Sequence, residues 1–276
     1  MQLRTIEAKP VSPYLGAEIS GIDLTRKLTD AQIEDLRAAS AEYQVIFFRD
    51  QKLDYAALKA LGRCFGELFI HPNSPGPQGH PEITLLHADS NSDRIIGERW
   101  HSDASCDSAP PLGSILYLHT VPPVGGDTCF ASQYAAYDDL SDRMKVYLEG
   151  LTALHDGTTS YRDSDLARGR YKPGKSYPWA MHPVVVTHPI TKRKALFVNG
   201  GFTVRINELS EFESAGLLRF LCEHAVRSDF QIRFRWREHS VAFWDNRCLQ
   251  HLAVWDYYPH TRSGFRVTIK GEKPAA

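Results

Sequence analysis

The segment Phe230-Gln-Ile-Arg-Phe-Arg-Trp236 alternates apolar and polar side chains without a break. A period of two fits a strand with one buried face, because successive strand side chains leave on opposite sides. Short runs elsewhere read as further strands: 45–48, 114–118, 128–131, 241–244 and 266–269, with a hairpin of 184–187 and 194–198 across His188-Pro-Ile-Thr. Helices lie between them without regular alternation. Thr29-x-x-Gln32 and Ser210-x-x-Glu213 are capping boxes, the first opening a helix that buries Ile33, Leu36 and Tyr43, the second one that buries Leu217, Leu218 and Leu221. Asp54 caps another helix, carrying Leu58, Leu61 and Phe65 and ended by Gly66, and two more follow near 133–150, the second capped by Ser141. Irregular spacing argues against an α/β sheet. It predicts a mainly β fold with peripheral helices, a sandwich or jelly roll.

At 276 residues the chain is long enough for one large domain or two small ones. Lys+Arg (32) and Asp+Glu (33) nearly cancel and no basic run stands out, so a nucleic-acid partner has no electrostatic support. The first residues lack a basic segment followed by an apolar run, and apolar stretches such as 115–118 and 184–186 are too short to cross a bilayer. The five cysteines (Cys64, Cys106, Cys129, Cys222, Cys248) are scattered and never form a CxxC pair. That pattern predicts free thiols in a reducing, cytoplasmic setting.

The chemistry gathers around His101-Ser-Asp103. In a strand, His-x-Asp sends an imidazole and a carboxylate to the same face, with Trp100 turned the other way. A distant second imidazole, His251, follows a predicted strand and completes a set of metal ligands with open positions beside them. Arg262 and Arg266 follow it at offsets of eleven and fifteen on an extended segment, four apart and so directed to one side. Forked guanidinium groups there suit the carboxylate of a dicarboxylate co-substrate. A zinc-dependent hydrolase is the alternative for two His and one acid, but no H-E-x-x-H helix is present and the arginine pair would be unexplained. A non-catalytic jelly-roll binding protein is a further alternative.

With these residues in view, the chain resembles the taurine dioxygenase family of Fe(II)/2-oxoglutarate-dependent dioxygenases, which also contains alkylsulfatase-type and phenoxyalkanoate enzymes. Further segments in family order carry the likeness: Gly16-Ala-Glu-Ile-Ser-Gly-Ile-Asp-Leu24, Phe48-Arg-Asp-Gln51, Phe65-Gly-Glu-Leu68, Gly125-Gly-Asp-Thr128, Phe197-Val-Asn-Gly-Gly-Phe202 and Trp244-Asp-Asn-Arg247. The resemblance implies one dioxygenase domain over residues 1–276 with a double-stranded β-helix (jelly-roll) core, using Fe(II), 2-oxoglutarate and O2. It assigns His101, Asp103 and His251 to the metal, and Thr128 with Arg262 to the distal carboxylate of 2-oxoglutarate. It places Arg266, His71, Phe202 and Ala104 around the substrate. The implied reaction hydroxylates a small anionic organic molecule, a sulfonate, sulfate ester or aryloxy or other carboxylate. Succinate and CO2 are co-products, and sulfite, sulfate or phenol is released where the hydroxylated carbon carries that group. Neither nucleic acid nor membrane is implied as a partner, and the likeness suggests a homo-oligomer, dimer or tetramer. The carboxylate of Asp103 favours hydroxylation over halogenation. Taurine dioxygenase has an Asn four residues before its first iron-binding His; Gly97 stands here, which argues against taurine itself and favours a bulkier or less polar anion.

Several residues read as structural. His119, His155, His182, His188 and His239 have no partner at metal-ligand spacing in the sequence, and Cys106 has no visible relay to activate it. Trp255, Tyr257 and Tyr258 read as packing, and Asp245, Asn246 and Arg247 as ordering the turn before His251. The stretches 67–100 and 161–177 are long enough to form lids that carry specificity.

Overall fold

The strand Val45–Phe48 sends Ile46 and Phe48 to one side and Val45 and Phe47 to the other, and all four are buried. The strands beside it divide in the same way. Ile115 and Tyr117 of Gly113–Thr120, and Val241 and Phe243 of Ser240–Asp245, share the side of Ile46; Leu116, Leu118, Ala242 and Trp244 share that of Phe47. These strands are therefore covered twice. A computed structural model, describing residues 3–71, 76–167 and 169–276, shows by what.

Eight strands form the larger sheet. Its order is Glu7–Pro10, Ala17–Ser20, Val45–Phe48, Ser240–Asp245, Gly113–Thr120, Arg262–Ile269 and Leu68–Phe69, with Thr84–Ala88 also paired to Arg262–Ile269. On the outer side, Leu36 and Ala39 of helix Asp30–Tyr43 and Leu58 and Leu61 of helix Tyr55–Arg63 close one core. Both helices open as expected: Thr29 and Gln32 form the capping box, and Asp54 accepts from Ala57 N at 2.7 Å. On the inner side lies a three-stranded antiparallel sheet, Gln231–Phe234, Thr128–Ser132 and Leu249–Ala253. Phe130, Phe234 and Leu249 reach from it to Phe47, Leu116 and Trp244, and Phe47 stacks on Phe234 with ring centroids 3.8 Å apart. Two sheets enclosing one apolar layer, with helices outside, make a jelly roll.

The predicted strand 230–236 is shorter than its alternation suggests. Phe230 closes a 3-10 turn, Ser228–Phe230, by donating its N–H to Arg227 O, and the ladder starts at Gln231. A sheet that the sequence did not announce, Thr203–Ile206, Thr152–Asp156 and Trp179–Pro183, flanks the sandwich, followed by helix Thr158–Ala167. Among the described residues no helix is long and apolar enough to cross a membrane.

The strand Arg262–Ile269 shows how the fold builds its site. Phe265, Val267 and Ile269 join the outer core. Arg262, Arg266 and Thr268 alternate with them and turn inward, where the smaller sheet presents Thr128 and His251. At this end the space between the sheets is polar.

Candidate active site

His101 and His251 are joined by a single antiparallel bridge: His101 N donates to His251 O at 3.1 Å and His251 N to His101 O at 2.9 Å. The expectation that His-x-Asp lies on a strand is not met. Pairing stops after His101, and Asp103 begins a turn in which Ala104 takes φ 45°. The turn is fixed from the side: Asp103 N donates to Asn246 Oδ1 at 3.3 Å, and Ser102 Oγ to Leu249 O at 2.8 Å. The ligand atoms converge by these tethers instead of by strand periodicity.

His101 Nε2 and His251 Nε2 stand 3.7 and 3.8 Å from Asp103 Oδ1, and the candidate ligand atoms of all three residues lie within 4.8 Å of one another. With bonds of ~2.1 Å, one ion bridges donors at such separations. His101 Nδ1 is 2.7 Å from Arg99 O, which fixes the proton on Nδ1 and leaves the Nε2 lone pair free. His251 Nδ1 is buried without a hydrogen-bond partner among the described residues. Burial keeps His251 neutral, well below the usual histidine range, with His101 acting in the same direction. Burial raises Asp103, but Arg266 and the two histidines outweigh it and hold the carboxyl well below its ordinary value. Two imidazoles and an ionised carboxylate form a donor set that fits a divalent ion. Asp103 Oδ2 accepts from Ser114 Oγ at 2.7 Å, and Ser114 is 3.1 Å from Thr268 Oγ1, which orients the carboxylate from behind.

Beside this set opens a cavity of about 890 Å³. His71, His101, Phe202, Arg262 and Arg266 all line it, so most of the residues singled out from the sequence meet there. Arg262 Nε donates to Gly126 O at 2.9 Å and Nη2 to Thr128 Oγ1 at 3.4 Å, and Trp236 Nε1 donates to the same hydroxyl at 2.9 Å. No carboxylate among the described residues lies within ion-pair distance of Arg262, although it is only 7% exposed. Arg266 Nη1 donates to Asp103 Oδ1 at 2.9 Å, while its buried Nε has no partner among the described residues. Ala104 borders Asp103 in the turn and is not among the residues lining the cavity. Residues 72–75 of the His71-Pro segment, part of the expected 67–100 lid, lie outside the described residues, as does residue 168 of the second lid. Described residues of both stretches, including Ile95, Ile96, Tyr161 and Leu166, form cavity wall.

Gly97 lies on that wall with φ +86°, and a Cβ there would come within 3.2 Å of His101 Cε1. Gly97→Ala should lose about 1–2 kcal/mol of stability to the left-handed backbone. It should weaken metal binding as well, because the methyl presses on a ligand ring. Thermal unfolding and an iron titration read the two effects separately.

Some residues of the site are not evident from sequence. Tyr257, read as packing, is 3% exposed and lines the cavity, while Tyr258 is 64% exposed. Tyr161 lines it too, with ring centroids 5.8 Å from both His71 and Phe202. The expectation that His188 lacks partners is corrected: with Asp245 and Cys248 it forms a second buried cluster with ligand-type atoms within 4.8 Å. That cluster is already satisfied. His188 Nδ1 accepts from Ile190 N and Thr191 N, Nε2 faces Asp245 Oδ2 at 3.1 Å, and Arg247 pairs with the same carboxylate. A guanidinium on the acid leaves no place for a cation. The network orders the turn 245–248 as expected, and that turn carries Asn246 to Asp103.

A third network holds the other side of the turn. Asn199 Nδ2 donates to Ser105 Oγ at 2.9 Å, its Oδ1 accepts from Gly201 N and Phe202 N, and His155 Nδ1 is 3.0 Å from Ser105 Oγ. Burial pushes His155 down to about 3, with neighbouring His182 acting in the same direction, and burial lowers His182 too. The unfolded chain binds a proton at His155 below about 6.5, and the folded chain only near 3. Stability should therefore fall as pH drops through that window, by up to about 1.4 kcal/mol per pH unit from this group. His155→Gln should flatten the slope of denaturant midpoint against pH between those values.

Among jelly rolls, a His/Asp/His centre with a buried arginine facing the same cavity defines the Fe(II)/2-oxoglutarate-dependent dioxygenases. Comparison with known proteins agrees. The family model for "Taurine catabolism dioxygenase TauD, TfdA family" matches residues 7–268. An α-ketoglutarate-dependent sulfonate dioxygenase of Saccharomyces cerevisiae is 36% identical, over 98% of this chain and 68% of its own. An α-ketoglutarate-dependent sulfate ester dioxygenase of Pseudomonas putida is 35% identical over 98% and 91%. The crystal structure of a taurine dioxygenase from Burkholderia xenovorans superposes with a TM-score of 0.85 at 34% identity, covering 98% of this chain and 93% of that one. That of AAD-2 in complex with Mn(II) and N-oxalylglycine gives 0.83 at 28%, covering 99% and 100%. The chain belongs to the TauD, TfdA family of dioxygenases.

Proposed function

We propose that this chain hydroxylates an anionic organic substrate, a sulfonate, sulfate ester or aryloxy or other carboxylate, while 2-oxoglutarate and O2 become succinate and CO2. His101, Asp103 and His251 would hold Fe(II), which when bound supplies the redox chemistry that no side chain offers. The observation that carries the reading is Arg262, a buried guanidinium without a carboxylate partner among the described residues, lining the same cavity as His101. A buried cation of this kind is costly unless an anion joins it. Arg262 and Thr128 are placed to receive the far carboxylate of 2-oxoglutarate. N-oxalylglycine, held by the related AAD-2, is the same dicarboxylate with one CH2 replaced by NH.

Arg266 keeps Asp103 ionised and oriented, and its unpartnered Nε remains for the substrate anion, with His71 across the cavity. Phe202 stands beside His101 on the cavity wall, and Tyr257 lines the same cavity. Leu85, Leu86, Ile95, Ile96 and Leu166 make the rest of the wall partly apolar. With the bare Gly97, this lining favours an anion carrying a bulky apolar tail over taurine. The same reading places one dioxygenase domain over residues 1–276, as a homo-oligomer, in the cytoplasm, where five free cysteines persist.

The test is succinate formation with Fe(II), O2 and a panel of taurine, longer alkylsulfonates, alkyl sulfates and phenoxyacetates. Turnover should rise at least ~10-fold with one class of tailed anion, with release of sulfite, sulfate or phenol. Stimulation by taurine alone would overturn the substrate preference, and stimulation by none would overturn the substrate class.

A further inference from the structure

Cys106 sits three residues beyond Asp103, in the same turn, with no solvent exposure. Its Sγ lies 3.8 Å from the hydroxyl of Tyr161. Tyr161 belongs to helix Thr158–Ala167 and lines the cavity with His101 and Arg266. Gly157 precedes the helix, and a Cβ there would stand 2.7 and 2.8 Å from Tyr161 Cδ2 and Cε2 and 2.9 Å from Cys106 Sγ. The ring edge and the thiol therefore border one small space that a glycine leaves free. Burial pushes the thiol up to about 12, so it is neither a nucleophile nor a metal-ready thiolate at neutral pH. A protonated thiol touching a phenol beside an oxidising centre is instead suited to loss of hydrogen.

We propose that Cys106 and Tyr161 become joined by a thioether, from Sγ to the ring carbon next to the hydroxyl, when the enzyme turns over without substrate. The inference rests on the dioxygenase reading above. The S–H bond of Cys106 and one ring C–H bond of Tyr161 break and one C–S bond forms, releasing two electrons and two protons. One O2 and one 2-oxoglutarate accept them, giving succinate, CO2 and one water. The linkage would tie the Asp103 turn to the wall helix at the cavity edge.

The experiment incubates iron-loaded full-length chain with 2-oxoglutarate and O2, without substrate, then reduces and denatures it. Succinate, intact mass, titratable thiols and the peptide map are read on one sample. The expected result is a mass lower by two hydrogen atoms, loss of one of the five thiols, and one branched peptide joining Cys106 to Tyr161. Cys106→Ser and Tyr161→Phe should each abolish the branched peptide. Succinate formed with all five thiols intact, or with one oxygen atom added to Tyr161 and Cys106 still free, overturns the linkage and leaves the dioxygenase reading standing. Absence of succinate overturns both, because the linkage then has no oxidant. A branched peptide that survives in Cys106→Ser assigns it to another residue and overturns the proposal.

Discussion

His101→Ala should reduce 2-oxoglutarate turnover to background and remove the thermal stabilisation that Fe(II) gives the parent chain. Changes in the outer shell of a metal site already lower affinity by ~10–100-fold, so loss of a ligand should exceed that. Asp103→Ala should be equally inactive but should unfold differently. Asp103 is the partner of Arg266 at 2.9 Å, and both are buried. Truncating the acid strands a buried guanidinium and should cost about 3 kcal/mol in the metal-free protein. Removing His101 strands no buried cation: its Nε2 stands 3.7 Å from Asp103 Oδ1, beyond hydrogen-bond distance, and its ring makes one hydrogen bond, to Arg99 O. His101→Ala should therefore leave the metal-free chain within about 1 kcal/mol of the parent once the lost contact is counted. Metal titration with denaturant unfolding separates the two variants. Near-normal turnover in either one would refute the assignment of the centre.

The contrast between these neighbours shows what the sequence could carry. The candidate ligands were legible as a group, because His-x-Asp, a distant His and two arginines on one strand face form a combination that the fold brings together. The arginine pair was legible as geometry too, since strand Arg262–Ile269 keeps a period of two and sends both guanidinium groups inward. The backbone beneath His101 and Asp103 was not. A single bridge to His251 followed by a turn leaves no periodic signal, and the turn is set by Asn246 and Asn199, which are remote in sequence. Tyr257 escaped for a related reason: an aromatic residue near others reads as core until the fold shows which side of it is empty. His188 looked isolated because its acid lies 57 positions away, at the end of strand Ser240–Asp245 in the larger sheet. Local pattern names the groups that do chemistry; the tertiary contacts that aim them have no local pattern to leave.

Arg262→Met should separate binding from folding more sharply than any other substitution in this site. Truncating one member of a buried, hydrogen-bonded charge pair costs about 2–5 kcal/mol in binding, so the KM for 2-oxoglutarate should rise by ~100- to 1000-fold. The same change should leave the metal-loaded, ligand-free chain as stable as the parent within about 1 kcal/mol. Arg262 has no carboxylate partner to strand, and its bonds to Gly126 O and Thr128 Oγ1 are offset by relief from holding an unpaired charge 7% exposed. Burial already lowers the pKa of this guanidinium, the direction expected of a cation kept without its anion. In the parent, 2-oxoglutarate at a hundred times its Kd should stabilise the fold by about 2.7 kcal/mol, and in Arg262→Met at the same concentration that gain should nearly vanish. Arg262→Lys should recover only part of it, since an ammonium restores the charge without the fork that grips both carboxylate oxygens. A structural arginine predicts the reverse pattern, a less stable ligand-free protein whose remaining fold still gains from 2-oxoglutarate. Melting curves of the three metal-loaded proteins, with and without the co-substrate, decide between the two.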